Sequence, residues 1–323
     1  MLDRDALAKF CAHGGRVSAA RAVFGGDEWI DLSTGIAPWA WPADAIPAGL
    51  DRLPEPDALA ALEAAAARAF GLVDAACVAA VPGTDLAMRS LARLIGGCRP
   101  AVLRGGYAGH RAAWPGAADV ADSPAAEHDL FVLASPANPD GRIADPAELI
   151  ALADRMTILV DEAYADPAPG LCPHASDRLI VLRSFGKFYG LPGLRLGFVI
   201  AGRGVAARLR GTLGDWPVSS PAVAIGGAAY RDVAWQRAQQ ARIAEAGALL
   251  DALLARAALP IVGAAPLFRL IAWDDAARLF EALGRRAILT RPFADRPDRL
   301  RIGLPRDAAA LTRLASAIEE FRS

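Results

Sequence analysis

Residues 184–197 read SFGKFYGLPGLRLG and follow an apolar run, Leu179–Leu182, that predicts a buried strand. The stretch places Lys187 in a glycine-rich turn, with Ser184 before it and Arg195 after it. A lysine in so apolar a setting is costly unless its amine is neutralised, paired or used covalently. Lysines that form Schiff bases need such a setting, and an arginine fork beside a hydroxyl can hold a phosphate. The alternative is a strand–turn–strand with a lysine at its rim.

A second stretch, residues 157–164, reads TILVDEAY and predicts a β-branched strand that ends in acids and a tyrosine. A carboxylate at the tip of a buried strand needs a cationic partner, and Asp161 is placed to be that carboxylate. Tyr164 follows it with a phenolic hydroxyl. The alternative for Asp161 is the N-cap of a helix just after the strand.

Three further turns follow predicted strands. Gly83, Thr84 and Asp85 precede a helical pattern, where exposed amide groups and the helix dipole favour an anion. An N-cap at Thr84 is compatible with this interpretation. Tyr107 and Asn138 each follow a predicted strand, and the alternatives are a core tyrosine and an ordinary turn.

Strand and helix patterns alternate between residues 77 and 202. The predicted strands are Cys77–Val81, Ala101–Arg104, Asp129–Ala134, Thr157–Asp161, Leu179–Arg183 and Arg195–Ala201. Such alternation favours an α/β fold, with a mostly parallel central sheet, helices on both faces and an active site beyond the carboxyl ends of the strands. The mixed strand and helix pattern that ends the chain predicts a small C-terminal α+β domain.

Together, in this order, these motifs resemble the fold-type-I enzymes that use pyridoxal 5'-phosphate, and the resemblance covers nearly the whole chain. It implies the aspartate-aminotransferase-like fold, with pyridoxal 5'-phosphate as cofactor and Lys187 as its attachment point. Asp161 matches the carboxylate that keeps the pyridine nitrogen protonated, while Tyr164 and Asn138 match donors to the ring's 3-oxygen. Lys187, Asp161 and Tyr164 are thus the expected catalytic residues. The implied cofactor-binding residues are Gly83, Thr84, Asp85, Tyr107, Asn138, Asp161, Tyr164, Ser184, Lys187 and Arg195.

Two subgroups of this family resemble the chain most, the threonine-phosphate decarboxylases and the histidinol-phosphate aminotransferases. Residues 13–15 resemble the His-Gly-Gly opening of the decarboxylases. Residues 31–38 resemble the loop that lines their substrate pocket. Arg301 matches the family arginine that binds the α-carboxylate, and Arg291 matches a position near a distal phosphate. The alternative for either arginine is a surface position. The implied substrate-binding residues are His13, Gly14, Gly35, Arg291 and Arg301.

The resemblance implies decarboxylation of L-threonine O-3-phosphate to (R)-1-aminopropan-2-ol O-2-phosphate in cobalamin biosynthesis. The alternative is an aminotransferase of the histidinol-phosphate type, and the sequence leaves both open. A non-catalytic cofactor-binding protein is disfavoured because the lysine, aspartate, tyrosine and phosphate arginine are all retained. Two residues depart from the pattern. Ala37 replaces the usual asparagine, and Leu53 replaces a tyrosine that reaches the cofactor phosphate of the partner subunit.

We expect three parts: an N-terminal segment, 1–40, that packs on the small domain and lines the active site, a large cofactor-binding domain, 41–215, and a small domain, 216–323. The chain of 323 residues is 54% hydrophobic, which suits one or two domains with a large core. Its net charge of −1 and the lack of a basic stripe disfavour a nucleic-acid partner. The resemblance implies a homodimer that takes a phosphorylated amino acid.

The cysteines predict a reducing compartment. Cys11, Cys77, Cys98 and Cys172 form no close pair in the sequence, and we expect free thiols and no metal site. The first residues lack a signal-peptide core, and no segment is apolar and long enough to span a bilayer. We therefore expect a cytoplasmic protein without a membrane partner.

Overall fold

The computed structural model describes residues 4–46, 49–97 and 99–322. It divides into two compact units. The large unit is Ala40–Ala238, and the small unit combines Met1–Trp39 with Gln239–Ser323. The sequence predicts the second boundary after residue 215, whereas the large unit continues to Ala238.

The helices and strands are numbered in chain order. The strands are β1 Ile30–Asp31, β2 Val78–Val81, β3 Pro100–Leu103, β4 Ala118–Val120, β5 Leu130–Ala134, β6 Thr157–Asp161, β7 Leu179–Ser184, β8 Gly197–Ile200, β9 Ile261–Ala265, β10 Phe268–Ala272, β11 Ile288–Leu289, β12 Arg291–Pro292 and β13 Arg299–Gly303. The α-helices are α1 Arg4–Cys11, α2 Val17–Phe24, α3 Pro56–Ala69, α4 Thr84–Leu94, α5 Ala108–Ala113, α6 Pro146–Leu152, α7 Phe185–Phe188, α8 Arg203–Leu213, α9 Ser220–Arg231, α10 Val233–Arg256, α11 Ala276–Arg285 and α12 Ala308–Arg322.

A seven-stranded sheet, in the order β2-β8-β7-β6-β5-β3-β4, forms the core of the large unit. Strands β3 to β7 pair with one another in parallel, and β8 is antiparallel to both β2 and β7. Strands β2, β5 and β8 are buried along their whole length, as expected for strands covered on both faces. The predicted mostly parallel α/β sheet is confirmed. The predicted strand at 195–201 begins later, at Gly197, because Arg195 adopts a left-handed φ of 53°.

Helix α9 remains in the large unit because it packs closely on α3. A Cβ atom placed on Gly226 would lie 2.5 Å from Leu196 Cδ2 and 3.0 Å from Leu62 Cδ1. The Tyr230 ring, one turn further along, lies with its centroid 5.4 Å from those of Phe70 and Phe198. This aromatic and aliphatic contact explains why the chain leaves the large unit only after residue 238.

The small unit contains a four-stranded antiparallel sheet in the order β12-β13-β10-β9. The N-terminal segment adds the short strand β1, which pairs in parallel with β11. Backbone hydrogen bonds then continue from Leu32 N–H to Leu289 O and from Gly303 N–H to Leu32 O, both 2.7 Å long. Residues up to Trp39 are thus an integral part of the small unit.

No helix within the described ranges combines the length and the apolar character needed to cross a membrane. Cys11, Cys77 and Cys172 are free thiols, and Cys98 lies outside the described residues. Across those same ranges, no cluster of three or more histidine, cysteine or acidic side chains is placed to hold a metal ion.

The α3–α9 contact predicts different effects for two adjacent glycines in α9. Gly226→Ala should destabilise the protein by about 1–3 kcal/mol, because its Cβ overlaps Leu196. The matched Gly227→Ala places a Cβ 3.4 Å from Arg231 Nη1, so we expect unchanged stability or a gain of up to about 1 kcal/mol. Urea denaturation of both variants checks this. Equal effects would contradict the packing described.

Candidate active site

Asp161 ends strand β6, and its carboxylate is held from two sides. It is 6% exposed, and its Oδ2 lies 3.2 Å from Nε2 of the fully buried His110. Its Oδ1 accepts a hydrogen bond of 3.1 Å from the N–H of Ala163 in the following turn. This carboxylate therefore closes a turn and not a helix, and the N-cap alternative is wrong. The two contacts fix the orientation of the carboxylate.

His110 was not singled out by the sequence analysis. It lies on α5, one helical turn after Tyr107, and its pairing with Asp161 joins positions 51 residues apart. Its only sequence signal is the spacing of three from Tyr107, which places both side chains on one helix face.

Lys187 lies on the one-turn helix α7, directly after β7. Its Nζ is 5.6 Å from the centroid of the Tyr164 ring. Strands β6 and β7 are parallel neighbours with Asp161 opposite Leu182, so the residues that follow both strands emerge at the same sheet edge. The structure thus brings the predicted lysine and tyrosine together.

An aromatic stack fixes the helix that carries Lys187. The Phe185 and Tyr189 rings are parallel with centroids 4.3 Å apart, and Tyr189 stacks in turn on Trp235 at 5.7 Å. Tyr230 meets Tyr189 edge-on at 5.2 Å. Burial raises the pKa of both tyrosines well above the ordinary value, so their hydroxyls stay neutral. The helix that carries Lys187 therefore packs against a cluster of aromatic rings that bear no charge.

Gly83 allows an arginine to approach the start of α4. Its φ is 91°, and a Cβ on it would lie 2.6 Å from Nη2 of Arg195. On the other side, a Cβ on Gly197 would lie 3.1 Å from the backbone nitrogen of Thr84. Arg195 holds its strained left-handed conformation, and its Nη1 donates to Pro192 O at 3.2 Å. A guanidinium beside a helix N-terminus is a suitable phosphate cradle.

The Asp85 carboxylate is engaged within the large unit. It accepts hydrogen bonds from Arg89 Nε at 3.2 Å and from the Tyr107 hydroxyl at 3.3 Å. A Cβ on Gly109 would lie 2.2 Å from Tyr107 Cε1, so this glycine lets the ring lie against α5. Asp85 therefore acts as a tether for the Tyr107 ring, and Arg89 offsets its charge.

Asn138 follows strand β5 and Ser184 ends strand β7, the two strands on either side of β6. The half-buried Asn138 lies in the loop after β5, which is joined to β6 by a 3.1 Å bond from Ser135 N–H to Asp161 O. Ser184 is the last residue of β7 and the N-cap residue of the lysine helix, although its side chain makes no capping hydrogen bond. Both residues thus lie at the same edge of the sheet as Asp161, the last residue of β6.

A buried ion cluster lies immediately beside these residues in the sequence. The fully buried Arg183 donates to Glu162 Oε2 at 2.9 Å, to the Asp166 carboxylate and to Ala168 O at 2.6 Å. Burial raises the pKa of Glu162, although the Arg183 guanidinium opposes that shift. The cluster links the end of β7 to the turn after β6. A charged residue inside an apolar strand was the sequence signal for it.

In the small unit, Arg291 and Arg301 face each other directly across the β12–β13 ladder. They are 9% and 2% exposed, so the alternative of surface arginines is wrong. Like charges directly opposite each other destabilise a sheet, and buried charges need compensation. The opposed pair therefore presents two guanidinium groups on one face of the ladder, and guanidinium forks suit carboxylate and phosphate groups.

Each of these arginines is anchored by a carbonyl oxygen. Arg301 Nη2 donates to Ser33 O at 2.6 Å, and Arg291 Nη2 donates to Ala12 O at 3.0 Å. Each guanidinium also lies near an aromatic ring, 4.9 Å from the Phe268 centroid for Arg301. The Arg291 guanidinium lies 5.2 Å from the centroid of the Phe293 ring. Their side chains are thereby held in defined orientations.

The remaining predicted substrate residues lie close to these anchors along the chain. The exposed His13 directly follows the carbonyl that holds Arg291. Gly14 packs so tightly that a Cβ on it would lie 2.4 Å from Ser33 O. Gly35 is buried two residues beyond Ser33. The small unit therefore gathers His13, Gly14, Arg291 and Arg301 through shared backbone contacts.

Comparison with known proteins identifies the family. A family model described as aminotransferase class I and II matches residues 113–318. The chain is 40% identical to a threonine-phosphate decarboxylase of Pseudomonas aeruginosa, covering 96% of this chain and 98% of that protein. It is 41% identical to a threonine-phosphate decarboxylase from Sinorhizobium, covering 95% and 97%.

The fold has a close match among solved structures. The histidinol-phosphate aminotransferase of Sinorhizobium meliloti, solved in complex with pyridoxal-5'-phosphate, superposes with a TM-score of 0.81. The match covers 94% of each chain at 22% identity, and thus bears on the fold alone. The predicted aspartate-aminotransferase-like fold is confirmed. With the family model and two full-length relatives in agreement, the chain belongs to the aminotransferase class I and II family.

Proposed function

We propose that this protein is a pyridoxal-phosphate-dependent lyase that decarboxylates L-threonine O-3-phosphate to (R)-1-aminopropan-2-ol O-2-phosphate for cobalamin biosynthesis. The observation that carries the proposal is the buried, opposed pair Arg291 and Arg301. A substrate with a carboxylate and a phosphate offers one anion for each guanidinium. The two decarboxylase relatives, matched over nearly their full length, support the same reaction.

The cofactor is pyridoxal 5'-phosphate, and the donor set of the large unit fits it. The amine of Lys187 suits its aldehyde, the oriented carboxylate of Asp161 suits its ring nitrogen, and the glycine-lined cradle beside Arg195 suits its phosphate. We assign Tyr164 and Asn138 to its 3-oxygen. We assign Tyr107 to its ring face. When bound, this cofactor supplies the electron sink for the bond that breaks at the substrate Cα.

The protein side chains then divide the remaining work. Asp161, oriented by His110, keeps a proton on the ring nitrogen. Lys187 Nζ would hold the solvent-derived proton that replaces the carboxylate at Cα after CO2 has left. Arg301 orients the α-carboxylate, while Arg291 and His13 bind the phosphate. Gly14 contributes backbone at a point where a side chain would overlap Ser33 O. We also assign Gly35 to substrate binding.

We also propose a cytoplasmic homodimer. Leu50 and Leu53 are 83% and 63% exposed, and Trp216 is exposed in the same unit. Ser220 Oγ donates to Arg52 O, which ties the Leu50–Leu53 segment to the start of α9. Exposed apolar side chains support contact with a second copy. The free thiols Cys11, Cys77 and Cys172 suit a reducing compartment.

The attachment site can be tested cleanly because Lys9 and Lys187 are the only lysines in the sequence. The purified protein with added cofactor should be yellow, and borohydride should fix one cofactor on Lys187. Peptide mass spectrometry locates the label. Lys187→Arg should abolish labelling, and the control Lys9→Arg should leave it intact. Label on Lys9, or none on the wild type, would contradict the assignment.

Decarboxylation and transamination differ in whether they need a keto-acid acceptor. Threonine phosphate should release CO2 without a keto-acid acceptor, because decarboxylation consumes no second substrate. Trapped CO2 and mass spectrometry of the amine product measure this. Transamination of histidinol phosphate with 2-oxoglutarate, without CO2 from threonine phosphate, would instead establish the aminotransferase alternative.

The two arginines should differ in which substrate group they recognise. Arg301→Gln should lower kcat/KM for threonine phosphate and for threonine alike, by about 10- to 100-fold, since both substrates carry the carboxylate. Arg291→Gln should lower kcat/KM mainly for threonine phosphate and so narrow its preference over threonine. Steady-state kinetics on both substrates checks this. Arg299→Gln, on the same strand and paired with Asp298, is the control and should change little. Identical profiles for the first two variants would refute the assignment.

A further inference from the structure

Ser33 lies at the centre of a hydrogen-bond network in the small unit. It is 2% exposed. Its Oγ accepts a bond of 2.8 Å from the N–H of Gly15 and donates to Asp31 Oδ1 at 2.5 Å. Its backbone carbonyl accepts the 2.6 Å bond from Arg301 Nη2. One residue therefore contacts both the His-Gly-Gly loop and the arginine assigned to the carboxylate.

Asp31 gives the Ser33 hydroxyl a single orientation. The same oxygen, Oδ1, also accepts the backbone N–H of Ser33 at 2.9 Å. Asp31 itself is fixed in strand β1, where it pairs with Leu289. Because the hydroxyl proton points to a charged acceptor, a lone pair of Oγ is directed to Gly15. The contacts thus run from strand β1 through Asp31 and the Ser33 hydroxyl to the backbone of Gly15.

Two glycines clamp the segment that contains Ser33. A Cβ on Gly14 would lie 2.4 Å from Ser33 O, and a Cβ on Gly303 would lie 2.8 Å from the carbonyl oxygen of Thr34. Gly14 directly follows His13, and Gly303 ends the strand that carries Arg301. Displacement of Ser33 would therefore be transmitted to both ends of the network.

We propose that Ser33 is a positioning residue that sets the spacing between the two anion-binding groups, Arg301 on one side and the His13 loop on the other. This inference rests on the proposed function, because it assigns the two groups to the carboxylate and the phosphate of one substrate. These two anions are separated by a short, fixed set of covalent bonds. A displacement of one group by an ångström weakens simultaneous binding of both. Ser33 thus selects substrates that carry both anions at this spacing.

The test compares Ser33→Ala with Ser176→Ala in the holoenzyme. The first removes the Oγ bonds to Gly15 and Asp31 but keeps the carbonyl that holds Arg301. The second removes two local bonds, to Arg178 N–H and Leu179 N–H, in a loop of the large unit. We expect Ser33→Ala to raise KM for threonine phosphate about tenfold with kcat within about twofold of wild type. Threonine should be affected less, so the preference should narrow. Ser176→Ala should match the wild type.

Hydrogen–deuterium exchange gives a readout that does not depend on turnover. The Gly15 amide should exchange faster in Ser33→Ala, while the cofactor absorbance stays unchanged. If Ser33→Ala does not fold, Asp31→Asn weakens the same network and should raise KM in the same direction.

Failure of the Ser33 role can be distinguished from failure of the proposed function. An active wild type with unchanged KM and unchanged Gly15 exchange in the variant overturns the role of Ser33 alone. Equal losses in kcat for threonine phosphate and threonine also overturn it, since they indicate a general structural effect. A wild type that releases no CO2 from threonine phosphate overturns the proposed function instead.

Discussion

The chemistry of the large unit depends on one buried ion cluster that ties two strand ends together. Arg183, at the end of β7, donates to the carboxylates of Glu162 and Asp166 in the turn after β6. Loss of one partner of a buried ion pair costs about 3–5 kcal/mol, because the other charge is left uncompensated. Glu162 directly follows Asp161, and Arg183 precedes Lys187 by four residues. The parallel register of β6 and β7 places both strand ends at one edge, and the cluster keeps them there.

The small unit uses buried charge differently. Arg291 and Arg301 are held opposite each other by carbonyl oxygens and rings, and so remain directed as donors for an anion. In the proposed reaction, the carboxylate and the phosphate of the substrate would bind to these two guanidinium groups and offset the repulsion between their like charges. The same pair of arginines would then both bind the substrate and orient it. The contacts made by Ser33 extend this arrangement to the His13 loop.

Local signals in the sequence were sufficient to predict the parallel sheet and the family. Lys187 and Asp161 each follow an apolar run, and the strand pattern places such residues at one edge. The pairing of Asp161 with His110 and the opposition of Arg291 and Arg301 depend instead on packing and register between distant segments. The assignment of α9 to the large unit also depends on packing, because its hydrophobic pattern does not indicate that it packs on α3. Arg183 could have been found, since a charged residue within a buried strand requires partners.

The proposed reaction requires that the carboxylate, and not the hydrogen, leaves Cα of threonine phosphate. The most direct measurement is mass spectrometry of the amine formed from threonine phosphate that carries deuterium at Cα. Decarboxylation breaks the bond to the carboxylate and adds a solvent proton, so the product should be 1-aminopropan-2-ol phosphate with the deuterium retained. Loss of deuterium with the carboxylate still in the product would contradict decarboxylation, because it would mean that proton abstraction at Cα is the reaction catalysed.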